Sequence, residues 1–379
     1  MLASEPFLDL TVLRPKEFMT LNGELGLAAI AFHPEFGQNG RRGSGKLYTF
    51  HAETPASRSN TPLLKGRAEK EHHHSVVTEW RVDSARPDRV DPASRREVLR
   101  IAQPGPGRNA GSLGFDPAAK PGEASYGLLY LGVGDGGSRP EVGNKEPQDP
   151  RSPLGKVLRV NPDPGRSAPG YRVPPTNPFV RPGAMHEVWA LGLRRPGRFA
   201  WDRAAPGRMF LPDAGGVIQE INLGEAGRNY GWSLREGTFA VDPGDPRRVL
   251  PLPGDEASRE LAFPVLQYDH DEGAGVVGGE VYRGRSVPAL AGKYFFADTV
   301  RGRFFAAAVD ALRQGRVGEF EEVGVLHNGL VGPFLQLLGG DDQADIHIGA
   351  DEAGELYVVS DRDGVIRKVM SDPLGAAFR

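Results

Sequence analysis

Apolar residues along this chain come in short runs that Gly, Pro, Asn or Asp cuts off before a helical period can establish itself. Residues 111–161 hold the plainest case: an apolar strand ending in Phe115-Asp116-Pro117, a strand over 128–133, a Gly-rich turn at Asp135, a long polar loop and a strand over 156–160. Residues 24–34 read as a buried strand closed by a turn. Strands over 46–50 and 75–83 follow, the last alternating apolar and polar as a half-exposed strand does. Phe115-Asp116-Pro117 answers Phe32-His33-Pro34, and Leu129-Tyr130 answers Leu47-Tyr48. Further units fall at 188–202, 208–211 and 219–223, at 278–282, 293–298 and 303–309, and at 346–351, 355–360 and 364–369. Short strands grouped at this interval predict propeller blades, so the chain reads as an all-β propeller with long loops at 134–153 and 163–185. The expectation is one domain over residues 1–379, its last blade closed by pairing the segment 7–12 with C-terminal strands. Each blade buries itself against its neighbours, which lets the chain be long without one large core and leaves function to loops on one face.

Composition agrees with this pattern. Gly at 51 and Pro at 33 mark a turn-rich chain, while an apolar share of 39% marks a globular rather than a disordered one. The net charge of -3, with both signs interspersed, offers no basic field for nucleic acid and no polybasic segment for a membrane surface. There is no Cys, which excludes disulfides, zinc-thiolate sites, iron-sulfur clusters and thiol nucleophiles. Residues 1–7 are too few and too polar for a signal peptide, and no apolar run approaches a membrane span. A signal for export would therefore have to lie upstream.

Seven segments carry a resemblance: GLAAIAFHPEF from Gly26, LYLGVGDGG from Leu129, QDPRSPLGKVLRV from Gln148, EVWALGLRRPGRF from Glu187, QEINLGEAGRNYGW from Gln219, YDHDEGAGVVGGEVYRG from Tyr268 and GKYFFADTVRGR from Gly292. In this order they resemble the glucose/sorbosone dehydrogenase family, the soluble quinoprotein sugar dehydrogenases and their relatives. The resemblance implies a six-bladed propeller that binds pyrroloquinoline quinone (PQQ) and calcium and oxidises an aldose at C1 to the lactone. It also implies export to the periplasm or the medium. In that chemistry a His takes the hydroxyl proton, hydride passes to the quinone, and basic residues hold the cofactor's three carboxylates.

Position by position, the resemblance is uneven. The family's His-Asn-Gly-Gly falls on Arg108-Asn109-Ala110-Gly111, so the cofactor-side Asn109 is kept and the base becomes Arg108. A guanidinium stays protonated at any accessible pH and cannot serve as a general base, although it can hold an anion or polarise a hydroxyl. The family's Thr-Gly-Gly becomes Val277-Gly278-Gly279, its following Lys falls near Val300 with Arg301 one position away, and its Arg-x-Arg-Asp falls on Asp342-Gln343-Ala344-Asp345. Arg194 keeps its family identity, while Arg195 stands where the family usually has Asn. A charge-assisted hydrogen bond is worth about 1.5–3 kcal/mol, so losing two or three weakens cofactor binding by on the order of a thousandfold or more. The calcium positions survive better: Glu220 matches the family's ligating carboxylate, Tyr230 its ligating carbonyl, and the carbonyls of Ala214 and Gly215 fall at the cofactor-side ion.

Other polar residues have a plain alternative. Asp135 suits a tight turn, and its glycines are no dinucleotide fingerprint because no helix follows. Asp269-His270-Asp271-Glu272 reads either as a polar loop or as a lining of the channel, His72-His73-His74 as solvated surface, and His33 and His347 as structural histidines. Glu24 sits where the family has a polar residue beside the sugar, which makes it the remaining candidate base or else a solvated strand start. Two functions follow: a quinoprotein dehydrogenase acting on a small sugar, or a non-catalytic, calcium-stabilised propeller that binds a glycan or a protein. A propeller lactonase would need Glu24, Asp213 and Asp298 to converge on a metal.

Overall fold

The computed structural model describes residues 5–20, 24–57, 59–137, 144–165, 170–254, 260–327, 329–340 and 343–371. The chain divides into two compact units, Met1–Leu191 and Gly192–Arg379. Both are built from mainly antiparallel sheets with almost no helix, as the pattern predicts.

The first unit opens with a helical turn, α1 (Leu10–Leu13), and continues through β1 (Leu27–Phe32), β2 (Lys46–Glu53), β3 (Leu63–Leu64), β4 (His73–Val82) and β5 (Val90–Gln103), which form one sheet in the order β1-β2-β4-β5-β3. In it β3 pairs with β5 in parallel. A second sheet holds β6 (Ala110–Gly114), β7 (Leu129–Val133), β8 (Lys156–Val160) and β9 (Val188–Leu191) in sequence order. Strand β2 is buried along its whole length, and its period of two sorts the residues. Tyr48 and Phe50 enter an apolar core with Val77, Leu99, Leu113 and Leu131. On the other face Thr49, His51 and Glu53 form a buried polar ladder, in which Glu53 accepts from Arg100 at 2.8 Å and from Ser57 at 2.9 Å.

Two expectations are corrected here. The segment 7–12 is not a closing strand, because Asp9 caps a helical turn by accepting from Thr11 N at 2.9 Å and Val12 N at 3.2 Å. Leu10 of that turn packs on Leu47, Trp80 and Val90 of the first unit. Nor are the neighbouring histidines all solvated: His73 and His74 are buried at the start of β4, with His74 held between Glu71 at 2.8 Å and Arg100 at 3.0 Å. Burial pushes the His73 imidazole down to about 4, so it is neutral at pH 7.

The second unit begins with β10 (Ala200–Trp201), β11 (Met209–Ala214) and β12 (Gln219–Gly224). An insertion then carries a separate three-stranded sheet of β13 (Arg235–Glu236), β14 (Phe239–Asp242) and β15 (Asp245–Leu250), after which β16 (Leu266–Tyr268) completes the first sheet beside β12. The next sheet runs β17 (Val276–Val281), β18 (Lys293–Asp298), β19 (Arg303–Ala308), β20 (Glu321–Val323). A small hairpin of β21 (Leu326–His327) and β22 (Leu330–Val331), the turn α2 (Phe334–Leu337) and the sheet β23 (Ile346–Ala350), β24 (Leu356–Ser360), β25 (Ile366–Lys368) follow. Phe210 of β11 stacks on Tyr294 of β18 with ring centroids 4.4 Å apart, which locks two of these sheets together. The β13–β15 insertion and the β21–β22 hairpin have no counterpart in the sequence reading, since their few apolar residues show no strand period. Among the described residues no helix is long and apolar enough to cross a membrane.

Candidate functional site

In the first unit the candidates gather around Arg108, in the loop between β5 and β6. Its backbone is left-handed, with φ +54°, a conformation that costs a non-glycine residue about 1 kcal/mol or more. Three hydrogen bonds offset this. The Arg108 Nε donates to Asp135 Oδ1 at 2.8 Å, its backbone N donates to the Glu24 carboxylate, and its carbonyl accepts from Gly136 N at 3.0 Å. Asp135 is fully buried and also accepts from Gly137 N at 3.0 Å and from Asn144 Nδ2 at 3.3 Å. The glycines of this turn have a steric reason, because a Cβ on Gly137 would stand 2.6 Å from the Gly107 carbonyl. Asp135 is thus a turn residue, as its plain reading has it, and is in addition the buried counterion of Arg108. Glu24, the candidate base, is held against the Arg108 backbone.

Asn109 is buried at 4% exposure, and neither atom of its side-chain amide has a hydrogen-bond partner among the described residues. Beyond it, the polar loop is pinned by Lys156, whose fully buried ammonium donates to the carbonyls of Glu146 at 2.7 Å, Pro147 at 3.0 Å and Leu154 at 2.6 Å. Sequence reasoning missed this lysine. A lone charge at the head of the apolar strand that it opens was the available signal.

In the second unit Arg194 and Arg195 share one partner. Asp213 on β11 accepts from Arg194 N at 2.8 Å and from Arg195 N at 2.6 Å. The Arg194 guanidinium donates to the Ala214 carbonyl at 3.0 Å and lies 5.3 Å over the Trp232 ring, while the Arg195 side chain is exposed. The Gly215 carbonyl accepts from Gln219 Nε2 at 3.3 Å. Glu236, which sequence reasoning did not single out, fastens the turn by accepting from Gly216 N at 2.6 Å and Val217 N at 2.9 Å.

Asp213 faces Glu220 of β12 in register across the sheet, and Asn222 follows two residues on, so the three side chains share a face. Burial, and then the Glu220 charge, push the Asp213 carboxyl well above the usual carboxylate range, against the two N–H groups that it accepts from. Burial likewise pushes Glu220 up to about 7, opposed by the Gly237 N–H and the Asn222 amide. Glu220 Oε2 accepts from Asn222 Nδ2 at 3.2 Å, and the buried Asn222 Oδ1 has no donor among the described residues. The Tyr230 hydroxyl donates to the Leu223 carbonyl at 2.7 Å, which ties its loop to the strand that carries Glu220.

The remaining candidates serve their own loops. Val277 accepts through its carbonyl from Arg198 N at 3.0 Å. Asp298 is fully buried and accepts from Gly275 N at 2.6 Å and Arg301 N at 2.7 Å. The Arg301 guanidinium donates to the carbonyls of Asp271, at 2.8 Å, and of His270, so residues 269–272 form a loop held by arginine. His33 is a structural histidine that accepts from Glu35 N at 3.0 Å. Asp342 lies outside the described residues, while Asp345 has φ +44°. Among the described residues no group of three His, Asp or Glu side chains converges as a metal site of that kind would require.

A propeller-like all-β fold with these segments in this order defines a class, and the sequence pattern described as Glucose / Sorbosone dehydrogenase matches residues 12–322. The chain belongs to the glucose/sorbosone dehydrogenase family. Among its relatives, HIPL1 protein of Arabidopsis thaliana is 29% identical over 339 residues, covering 78% of this chain and 45% of that protein. Hedgehog-interacting protein of Homo sapiens is 27% identical over 359 residues, covering 94% of this chain and 43% of that protein. The chain thus spans about half the length of these curated relatives. The PQQ-bound form of the aldose sugar dehydrogenase from Streptomyces coelicolor shares the fold, with a TM-score of 0.54 at 21% identity over 95% of this chain and 80% of that one.

Proposed function

We propose that this chain is a non-catalytic, calcium-stabilised member of its family, a six-bladed propeller in a single domain over residues 1–379 that binds a glycan or a protein and does not oxidise a sugar. One observation carries the reading: at the family's base position stands Arg108, ion-paired to the buried Asp135 at 2.8 Å, with the alternative base Glu24 bonded to its backbone N–H. Neither group is placed to take a hydroxyl proton.

The residues do not fit PQQ. Its three carboxylates need several cations converging on one pocket, yet Arg108 is turned to Asp135 and Arg301 to two loop carbonyls. Arg194 donates to the Ala214 carbonyl, the oxygen that the cofactor-side calcium would use. A structural calcium fits better. Glu220 is a buried carboxylate facing a second one, Asp213, and the unpaired Asn222 oxygen beside it is the kind of hard donor that calcium takes. Glu220, Asn222 and the Tyr230 carbonyl would hold the ion, which would act by neutralising buried charge. A protein ligand is in keeping with the relative named as a Hedgehog-interacting protein; a glycan ligand and an exported location are what the family resemblance implies.

Calorimetric titration of the calcium-loaded protein with PQQ, followed by dye-linked aldose oxidation, tests this reading. No heat and no turnover are expected. Micromolar binding with turnover would overturn it in favour of a PQQ-dependent dehydrogenase acting on a small sugar. One observation favours that second reading, the unpaired buried amide of Asn109 at the family's cofactor position.

A further inference from the structure

The second unit contains a cavity that neither the family's chemistry nor the groups described so far use. It encloses about 410 Å³ between the outer strands β18–β20 and β24–β25, within the size range of small-ligand pockets. Its deep wall is apolar and firmly packed: Leu290, Phe295 and Phe304 are each 2% exposed, and Val358 is 4% exposed. Its rim carries His327, Arg367 and Lys368, and among the described residues no acidic one lines it.

Arg367 sets the polarity of the mouth. Its Nη1 donates to Asp363 Oδ1 at 3.1 Å and to the Val365 carbonyl at 3.2 Å, and its Nη2 donates to Asp363 Oδ2. The guanidinium lies 5.3 Å over the ring of Phe334, another lining residue, and His327 stacks edge-on against that ring at 6.1 Å. The Arg367 Nε–H, buried at this point, has no acceptor among the described residues. An unpaired buried donor is destabilising, a cost that a ligand oxygen would remove.

We propose that this cavity binds a small amphipathic carboxylate, an acyl chain whose tail lies against Leu290, Phe295, Phe304 and Val358 and whose carboxylate accepts from Arg367 Nε at the mouth. An apolar wall beneath a basic rim selects that chemistry: a neutral hydrocarbon leaves the Nε–H unpaired, and a short polar anion leaves the wall wet. The site rests on residues separate from those of the proposed function, so either reading can fail alone.

The test is titration of the protein with dodecanoate below its micelle concentration, followed by calorimetry, with dodecanol as the neutral comparison. Dodecanoate is expected to bind at least tenfold more tightly than dodecanol. Gly324→Phe fills the cavity from its lining, where a Cβ meets nothing within 4 Å, and should weaken both ligands more than tenfold while the thermal midpoint holds. Arg367→Leu should weaken dodecanoate about tenfold and leave dodecanol unchanged. Equal affinity for the two ligands, undiminished binding in Gly324→Phe, or no binding by the unaltered protein would each overturn the proposal.

Discussion

Arg108 shows how one residue changes what a loop can do. Its guanidinium is the counterion of Asp135, which is fully buried, so Arg108→Ala leaves an uncompensated carboxylate. The expected loss is about 2–3 kcal/mol of stability, read from a urea unfolding midpoint; a loss under about 0.5 kcal/mol would mean that the pair does not hold the loop. Glu220 gives a pH signature. Its folded value of about 7 lies above its ordinary 4.5, so the folded state binds the proton more tightly and the associated stability, present below pH 4.5, is lost as pH rises through 7. The shift corresponds to about 3 kcal/mol at most. A bound calcium ion reverses this by stabilising the ionised form. The melting temperature gained on adding calcium should therefore grow from pH 5 to pH 8, and Glu220→Gln should abolish the growth. A calcium effect that is flat with pH would argue against Glu220 as a ligand.

At the scale of elements, β17 explains the Val277-Gly278-Gly279 segment without reference to a cofactor. A Cβ on Gly279 would stand 1.9 Å from the Phe295 carbonyl of the paired strand β18, and Gly278, at φ +109°, would place one 2.3 Å from the Arg198 carbonyl. Gly279→Ala should cost about 3 kcal/mol or more by forcing the two strands apart. Gly349→Ala on β23, where nothing lies within 4 Å of the new Cβ, should change stability by less than about 0.5 kcal/mol. Equal thermal midpoints for the two variants would remove this steric account. The same strands show what a sequence pattern carries well. The segments 293–298 and 303–309 are apolar in nearly every position and became β18 and β19 almost residue for residue. The insertion β13–β15 is short and charged, with β13 buried and β14 and β15 half exposed, so its pairing comes from contacts across the sheet and its strands show no period of their own.

For the whole molecule, family and activity separate. The fold and the family pattern are carried by apolar strands and turn glycines, which many side-chain changes leave intact, whereas the reaction depends on a handful of polar groups at loop ends. A chain of this family with Arg108 at the base position should bind no PQQ at micromolar concentration and should not reduce a dye with aldoses. Restoring the base by Arg108→His alone should not restore turnover either, since the arginine donors for the cofactor remain committed elsewhere. Turnover in that variant would show that the base alone had been lost.

Many of the strands, the all-β class and the family were legible in the sequence because each rests on local signals: apolar runs, turn residues, and motifs that keep their order along the chain; the long strand β5 was not. The substitution at Arg108 was legible for the same reason. What the groups do was decided by tertiary structure. Asp135 reads as a turn residue until an arginine 27 positions earlier in the chain is brought against it. Lys156 reads as an ordinary charge until three carbonyls surround it. His74 reads as surface until Arg100 and Glu71 enclose it. In each case the deciding term is the replacement of water around a polar side chain by groups that the fold packs against it, which the short apolar and turn patterns along the chain do not report.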